Sequence, residues 1–304
     1  MLEDRVVYTN GKFVAWKDST VHMMSHSFAR GTTIFEVLSL HATDDGPAVF
    51  RLQDHIARLT RSAHLLDMDL PMSPDAFYEA VIETVKRNNL DKGIIKIMGY
   101  YPQIALDILP PDGNLEFSIF AMDPEQDIPG IDFSERSTTI GISSWHKLDP
   151  KTVPVEAKAA ANYLNGMVAR LDVRKRGFDY ALMLDSDGFI AEGGTESVFI
   201  VRDGRLMTSA LGTVLHGITR KSILQAAESL DIITFEGRLS PDILFEAEEI
   251  FLSSSLSKIL PVHKIEDREL PEAPGLMGIK LAELMDKITV GKEAHFKDWL
   301  YPIK

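Results

Sequence analysis

The chain of 304 residues contains no cysteine. Disulfides, thiolate metal sites and cysteine nucleophiles are therefore excluded. No histidine cluster stands at ligand spacing, so no metal site is expected. Positive charge is scarce: 45 acidic residues face 32 basic ones, a formal net charge of −13, which disfavours nonspecific association with nucleic acid. A buried phosphate needs only a few donors, so this balance does not exclude one. No apolar run is long enough to span a bilayer, and Met1-Leu2-Glu3-Asp4 carries acids where a secretion signal needs bases. A soluble cytoplasmic protein, bound to neither membrane nor nucleic acid, is expected. Internal repeats and low-complexity tails are missing too.

With 45% apolar residues, the chain has enough material for two cores rather than one. Asn10-Gly11 between two short apolar runs predicts an opening hairpin. Strands are predicted over 34–40, 93–98, 115–122, 138–143 and 250–252, with hairpins over 179–191 and 198–208. Helices are predicted over 54–67, from Ser73-Pro74 to Asn88, over 162–175, from about 218, and over 275–288. The helix over 162–175 rests on Leu164, Met167, Val168 and Leu171 at helical spacing. Pro261-Val262 reads as a turn. Proline and acids over 123–130 read as a connection between domains. The result is an α+β (mixed α/β) chain with a smaller domain over 1–122, a linker over 123–133 and a larger domain over 134–304.

Lys158 lies between small residues in Ala157-Lys158-Ala159, just before the helix over 162–175. Burial favours a neutral lysine, and a neutral amine forms a Schiff base with an aldehyde. A lysine met in isolation is far more often a surface residue. Thirty-odd residues later comes Glu192-Gly193 through Ser197-Val198-Phe199. Together with Ala157-Lys158-Ala159 and Asn162-Tyr163-Leu164, this segment resembles the two central motifs of the class IV, fold type IV, pyridoxal-phosphate aminotransferases, most of all the branched-chain amino acid aminotransferases. The resemblance extends over nearly the whole chain.

It implies a two-domain fold of the D-amino acid aminotransferase type and pyridoxal 5′-phosphate as cofactor, with Lys158 as the residue that holds it. Arg58 in His55-Ile56-Ala57-Arg58-Leu59 falls at the family's phosphate arginine. Ile218 and Thr219 fall in its glycine-isoleucine-threonine-arginine phosphate segment, at a helix start that suits an anion, and Ser255 matches its hydroxyl ligand. Tyr163 is the expected contact of the ring hydroxyl oxygen, and Glu192 of the ring nitrogen, where a carboxylate keeps that nitrogen protonated. Arg30, Phe35, Lys96 and Leu256 are the substrate-side candidates.

Five positions depart from the branched-chain pattern. Arg30 stands where those enzymes typically have tyrosine, Val37 where they have glycine, Lys96 where they have arginine, Ile97 where they have proline, and Ser197 where asparagine is frequent. Lysine at 96 keeps the charge and loses the bidentate fork. Arg30 either pairs with a substrate carboxylate or braces a loop. His146 reads as structural. The expected activity is transfer of an amino group from leucine, isoleucine or valine to a 2-keto acid acceptor, 2-oxoglutarate, by ping-pong chemistry in a homodimer. The alternatives within the fold are a D-amino acid or (R)-amine transaminase and an aminodeoxychorismate lyase; outside catalysis, the alternative is a small-molecule binder.

Overall fold

A computed structural model describes residues 1–130 and 137–304; the last part of the expected linker and the first residues of the expected second domain lie outside these. In chain order the elements begin with β1 (Val6–Thr9), β2 (Lys12–Ala15), α1 (His26–Arg30), β3 (Ile34–Thr43), β4 (Gly46–Phe50), α2 (Leu52–Leu65), α3 (Pro74–Arg87), β5 (Gly93–Tyr100), β6 (Glu116–Met122) and α4 (Pro124–Asp127). They continue with β7 (Thr138–Ile142), α5 (Tyr163–Arg174), β8 (Tyr180–Leu184), β9 (Ile190–Gly193), β10 (Ser197–Arg202), β11 (Arg205–Ser209), α6 (Ile218–Ser229), β12 (Thr234–Gly237), β13 (Glu249–Ser253), β14 (Leu260–Ile265), β15 (Arg268–Glu269), α7 (Leu276–Thr289) and β16 (Leu300–Pro302).

The described residues form two compact units. The first takes in those of Met1–Asp132 together with Ala157–Ala161 and Ile288–Lys304; the second takes in those of Phe133–Glu156 and Asn162–Lys287. Ile288–Lys304 joins the first unit, although it follows the second in sequence, because β16 pairs antiparallel with β4.

The first unit is built on a sheet in the order β16-β4-β3-β5-β6-β1-β2, antiparallel at every pairing. Its opening hairpin turns where predicted, with Asn10 and Gly11 both at positive φ (47° and 80°), the pair of left-handed residues that suits the strand twist. Alternation along β3 sets the two faces. Ile34, Glu36, Leu38 and Leu40 are buried beneath α2, which contributes Leu52, Ile56 and Leu59 to the same core. Phe35 and Val37 face the other way, opposite Met98 and Lys96. α3 begins at the predicted cap, Ser73, with Pro74 at its first position, where the missing N–H is not needed.

The second unit holds a sheet in the order β12-β11-β10-β13-β14-β7-β8-β9, with β15 beside β14. Val198, Ile200, Ile250 and Leu252 from its middle strands form the core with Ile140, Leu182 and Ile190. Pro261-Val262 is not a turn: both residues lie in β14, with Pro261 opposite Phe251. The predicted helix over 162–175 forms as α5, but its anticipated apolar face is turned outward. Leu164, Met167 and Leu171 are 61%, 52% and 49% exposed, and the buried face consists of Gly166, Ala169 and Val173. Small residues win that face because α5 approaches the backbone of the β9–β10 turn. A Cβ at Gly166 would stand 2.4 Å from the Gly194 carbonyl oxygen.

None of the described helices is long and apolar enough to cross a membrane.

The close approach at Gly166 also fixes the start of α5 against the strand that carries Glu192. Gly166→Ala is therefore expected to lower unfolding stability by about 1–3 kcal/mol, the usual cost of overpacking. Chemical denaturation measures this; an unchanged midpoint would show that α5 does not need the contact.

Candidate active site

In the first unit Lys158 sits where the chain is tied to the beginning of β3. Its carbonyl accepts from Phe35 N–H at 3.0 Å, Ala160 N–H donates to the Thr33 carbonyl at 2.7 Å, and Ala159 bridges to Ile34. Lys158 N–H in turn donates to Ser62 Oγ on α2 at 3.0 Å. Gly31 passes close to this segment, so that a Cβ placed on it would stand 3.2 Å from Ala161 Cβ. The backbone is thus fixed on two sides while the half-buried side chain reaches the Phe35 ring, with Nζ 4.7 Å from its centroid. Lys96 Nζ stands 5.4 Å from the same ring. Burial pulls the Lys96 ammonium below its ordinary pKa. Phe35 therefore meets two ammonium groups, and the negative face of an aromatic ring suits both.

Arg58 projects from α2 into a buried cluster on the other face of β3. Its Nε donates to Glu36 Oε1 at 2.8 Å and its Nη2 to Glu36 Oε2 at 2.6 Å. His55 Nδ1 lies 2.7 Å from the same Oε2. Burial of Glu36 works against its charge, but the Arg58 charge and hydrogen bonds, helped by His55, hold its pKa at about 2. Burial pushes His55 below its ordinary value, so at neutral pH it is an uncharged ring donating Nδ1–H to a carboxylate. A forked pair of this kind fixes the plane of a guanidinium. Glu36 and His55 are functional candidates that the sequence reading missed. His55 stands three residues before Arg58 on α2, a helical spacing that puts both on one face, and that was the available signal.

In the second unit β9 carries Glu192, 7% exposed. Lys147 Nζ lies 2.5 Å from its Oε1, and Leu215 N–H points at the carboxylate from 3.3 to 3.4 Å. Tyr163, half-buried, opens α5. Ile218 and Thr219, both buried, open α6, whose N-cap is Gly217 and whose first turn has no side-chain cap. Uncapped amides at a helix start are a site for an anion. A Cβ on Gly217 would stand 3.0 Å from Ser197 Oγ, so a serine hydroxyl lies against that helix start. Ser197 is opposite Ser253 across β10 and β13, and the buried Ser253 Oγ has no hydrogen-bond partner among the described residues. Ser255 follows in the turn after β13, where Ser254 Oγ is engaged by Ser257 N–H at 3.2 Å. Ser253 was not anticipated; a serine on a strand gives no sign in sequence that its hydroxyl is left over.

Three further residues complete the comparison with the sequence. Arg30 is exposed, and its Nη2 donates to the Leu106 carbonyl at 3.1 Å and its Nη1 to the Ala29 carbonyl at 3.4 Å. Leu256 is 45% exposed. His146 Nδ1 is 2.8 Å from the Asp185 carbonyl, a structural contact. Among the described residues no group of three histidine or acidic side chains is arranged to hold a metal ion.

The donor chemistry fits pyridoxal phosphate. In the second unit an uncapped helix start and a buried hydroxyl with no partner among the described residues suit its phosphate, and a buried carboxylate suits its ring nitrogen; in the first unit a half-buried lysine against an aromatic ring suits its aldehyde. Comparison with known proteins points the same way. The model of the amino-transferase class IV family matches residues 33–265. A branched-chain-amino-acid aminotransferase of Salmonella typhimurium is 31% identical over 299 residues, 98% of this chain and 97% of that protein. Its counterpart in Escherichia coli K12 is 33% identical over 267 residues, 88% of this chain and 86% of that protein. Among solved structures, the branched-chain amino acid aminotransferase from Thermobaculum terrenum in its PLP-bound holo form superposes with a TM-score of 0.92 at 26% identity, covering 100% of both chains.

The buried cluster at Arg58 makes acid stability a direct test. Glu36 goes from an ordinary 4.5 in the unfolded chain to about 2 when folded. Its contribution, on the order of 3 kcal/mol, is therefore complete above pH 4.5 and lost as pH falls toward 2. His55 adds a loss that starts as pH falls below 6.5, where only the unfolded ring takes up a proton. Glu36→Ala should cost about 3–5 kcal/mol at pH 7 by removing the carboxylate of a buried ion pair and should flatten the acid limb of the stability curve. An unchanged limb in the variant would remove Glu36 from this role.

Proposed function

The chain belongs to the class IV aminotransferase family, and from that premise we propose that it moves the amino group of leucine, isoleucine or valine, as the L-amino acid, to 2-oxoglutarate in two half-reactions. The observation that carries the reading is the anchoring of Lys158: two backbone hydrogen bonds tie its segment to β3 and a third ties it to Ser62, while its amine remains against Phe35.

Pyridoxal phosphate, when bound, supplies an aldehyde that takes up an amino group and a ring that draws electrons from the α-carbon of the donor. Lys158 Nζ would hold the cofactor between turnovers. The same amine, once free, would carry a proton between the donor's α-carbon and the carbon of the cofactor's aldehyde. Glu192 would keep a proton on the ring nitrogen, and Tyr163 would steady the ring hydroxyl oxygen. Arg58, the amides of Ile218 and Thr219, and the Ser255 hydroxyl would hold the phosphate. Family membership supports assigning these residues to one cofactor.

Substrate choice follows from one face of the first unit's sheet. Phe35 and Val37 offer an apolar surface to a branched side chain. Lys96, beside Phe35 and opposite Val37, offers an ammonium to the distal carboxylate of 2-oxoglutarate. One face therefore serves both an apolar donor and an acidic acceptor. Of the two roles open to Arg30, bracing the loop is the one its carbonyl contacts support. Leu256 borders the substrate in this reading. A homodimer is proposed as well, and the outward apolar side chains of α5 support it.

The visible spectrum of the holoenzyme is expected to change on adding L-leucine and to recover on adding 2-oxoglutarate, with D-alanine and an (R)-amine inert. A response to D-alanine alone would move the activity to the D-amino acid branch. Lys96→Met should raise the KM for 2-oxoglutarate by about tenfold or more, the worth of one hydrogen bond to a charged group, and leave the L-leucine half-reaction nearly unchanged. Equal effects on both half-reactions would remove Lys96 from acceptor recognition.

A further inference from the structure

Glu192 does not stand alone in the second unit. Its Oε1 is paired with Lys147 Nζ at 2.5 Å, and both side chains are nearly buried, Lys147 10% and Glu192 9% exposed. Lys147 is held in place by its surroundings. Its N–H donates to the Leu184 carbonyl at 2.7 Å. On one side of it, the His146 carbonyl accepts from Asn165 Nδ2 at 2.9 Å; on the other, Leu148 N–H donates to Asn165 Oδ1 at 3.2 Å. His146 Nδ1 meets the Asp185 carbonyl. The segment over 146–148 is thus pinned to α5 and to the end of β8, and β8 is the strand paired with the one that carries Glu192.

A buried ion pair is weak support for stability, because taking both charges out of water cancels most of their attraction. An apolar residue at 147 would pack at least as well, so the pair calls for a different reason. We infer that Lys147 is a positioning residue: it occupies Oε1 of Glu192 and presents Oε2 of the carboxylate to the ring nitrogen of the cofactor. The other contact of the carboxylate, the Leu215 amide, is long at 3.3 to 3.4 Å and does not fix its rotation. A freely rotating carboxylate offers the ring N–H a poorly aligned acceptor, and alignment governs the strength of such a bond. The inference rests on the proposed role of Glu192 toward pyridoxal phosphate and adds a second residue to it.

The test uses the full-length protein stripped of cofactor and titrated with pyridoxal 5′-phosphate labelled with ¹⁵N in the ring. Lys147→Met, which keeps the length and loses the charge, should weaken cofactor binding by about tenfold or more, in keeping with loss of a charge-assisted hydrogen bond. It should also move the ring ¹⁵N resonance of the bound cofactor toward that of neutral pyridine. Lys147→Arg should restore both. In a Glu192→Gln background, Lys147→Met should cause no further loss of affinity, because Lys147 acts only through that carboxylate. Wild-type affinity and resonance in Lys147→Met, or a loss that adds in full to that of Glu192→Gln, would overturn the inference and leave the aminotransferase reading intact. Failure of the unaltered protein to bind pyridoxal phosphate would instead overturn the reading on which the inference rests. Should Lys147→Met not fold, a Lys147→Arg protein with wild-type affinity and an unshifted resonance supports the inference, and one that folds but has lost both overturns it.

Discussion

Everything proposed for this chain depends on a few backbone hydrogen bonds that join residues far apart in sequence. Phe35 N–H to the Lys158 carbonyl and Ala160 N–H to the Thr33 carbonyl make the segment Ala157–Ala161 an addition to β3. It groups with the first unit, although the residues on either side of it group with the second. A lysine side chain has four rotatable bonds, and its ammonium can be placed only if the backbone beneath it is fixed. Ser62 supplies the third tie, and Gly31 passes close enough to Ala161 that a Cβ on the glycine would stand 3.2 Å from it.

The same economy holds for the other charges. Two buried candidates are paired with a second charged group: Arg58 with Glu36 and Glu192 with Lys147. Such support brings a site into working geometry, because a carboxylate or guanidinium with free rotation spends little time aligned. Lys96 is different. Among the described residues its half-buried ammonium meets the Phe35 ring, with no carboxylate beside it in an ion pair.

Much of the fold was readable from the chain. The hairpin at Asn10-Gly11 is a local matter of left-handed backbone, and the cap at Ser73 a local matter of one hydroxyl and one proline. Lys158 and Glu192 were reached through motif resemblance, not through periodicity. What was missed shares one property, distance along the chain. Glu36 meets Arg58 across 22 residues, Lys147 meets Glu192 across β8 and β9, and β16 returns to β4 from the far end of the chain. Helix α5 was legible from its spacing but its buried face was not, because hydrophobic spacing reports an apolar stripe without saying what covers it. The buried stripe is set by the backbone of Gly194, which leaves room only for small side chains. Pro261 was misread for a related reason: proline punctuates most chains, but in a strand it is tolerated where its missing N–H is not called on.

Lys158, rather than Lys96 or Lys147, is the amine proposed to carry the cofactor. Reduction of the holoenzyme with borohydride fixes the cofactor to whichever amine holds it, and peptide mapping by mass spectrometry then reads the position. A single phosphopyridoxyl group is expected on the peptide containing Lys158. The same mass on a peptide containing Lys96 or Lys147, with Lys158 unmodified, would overturn the assignment.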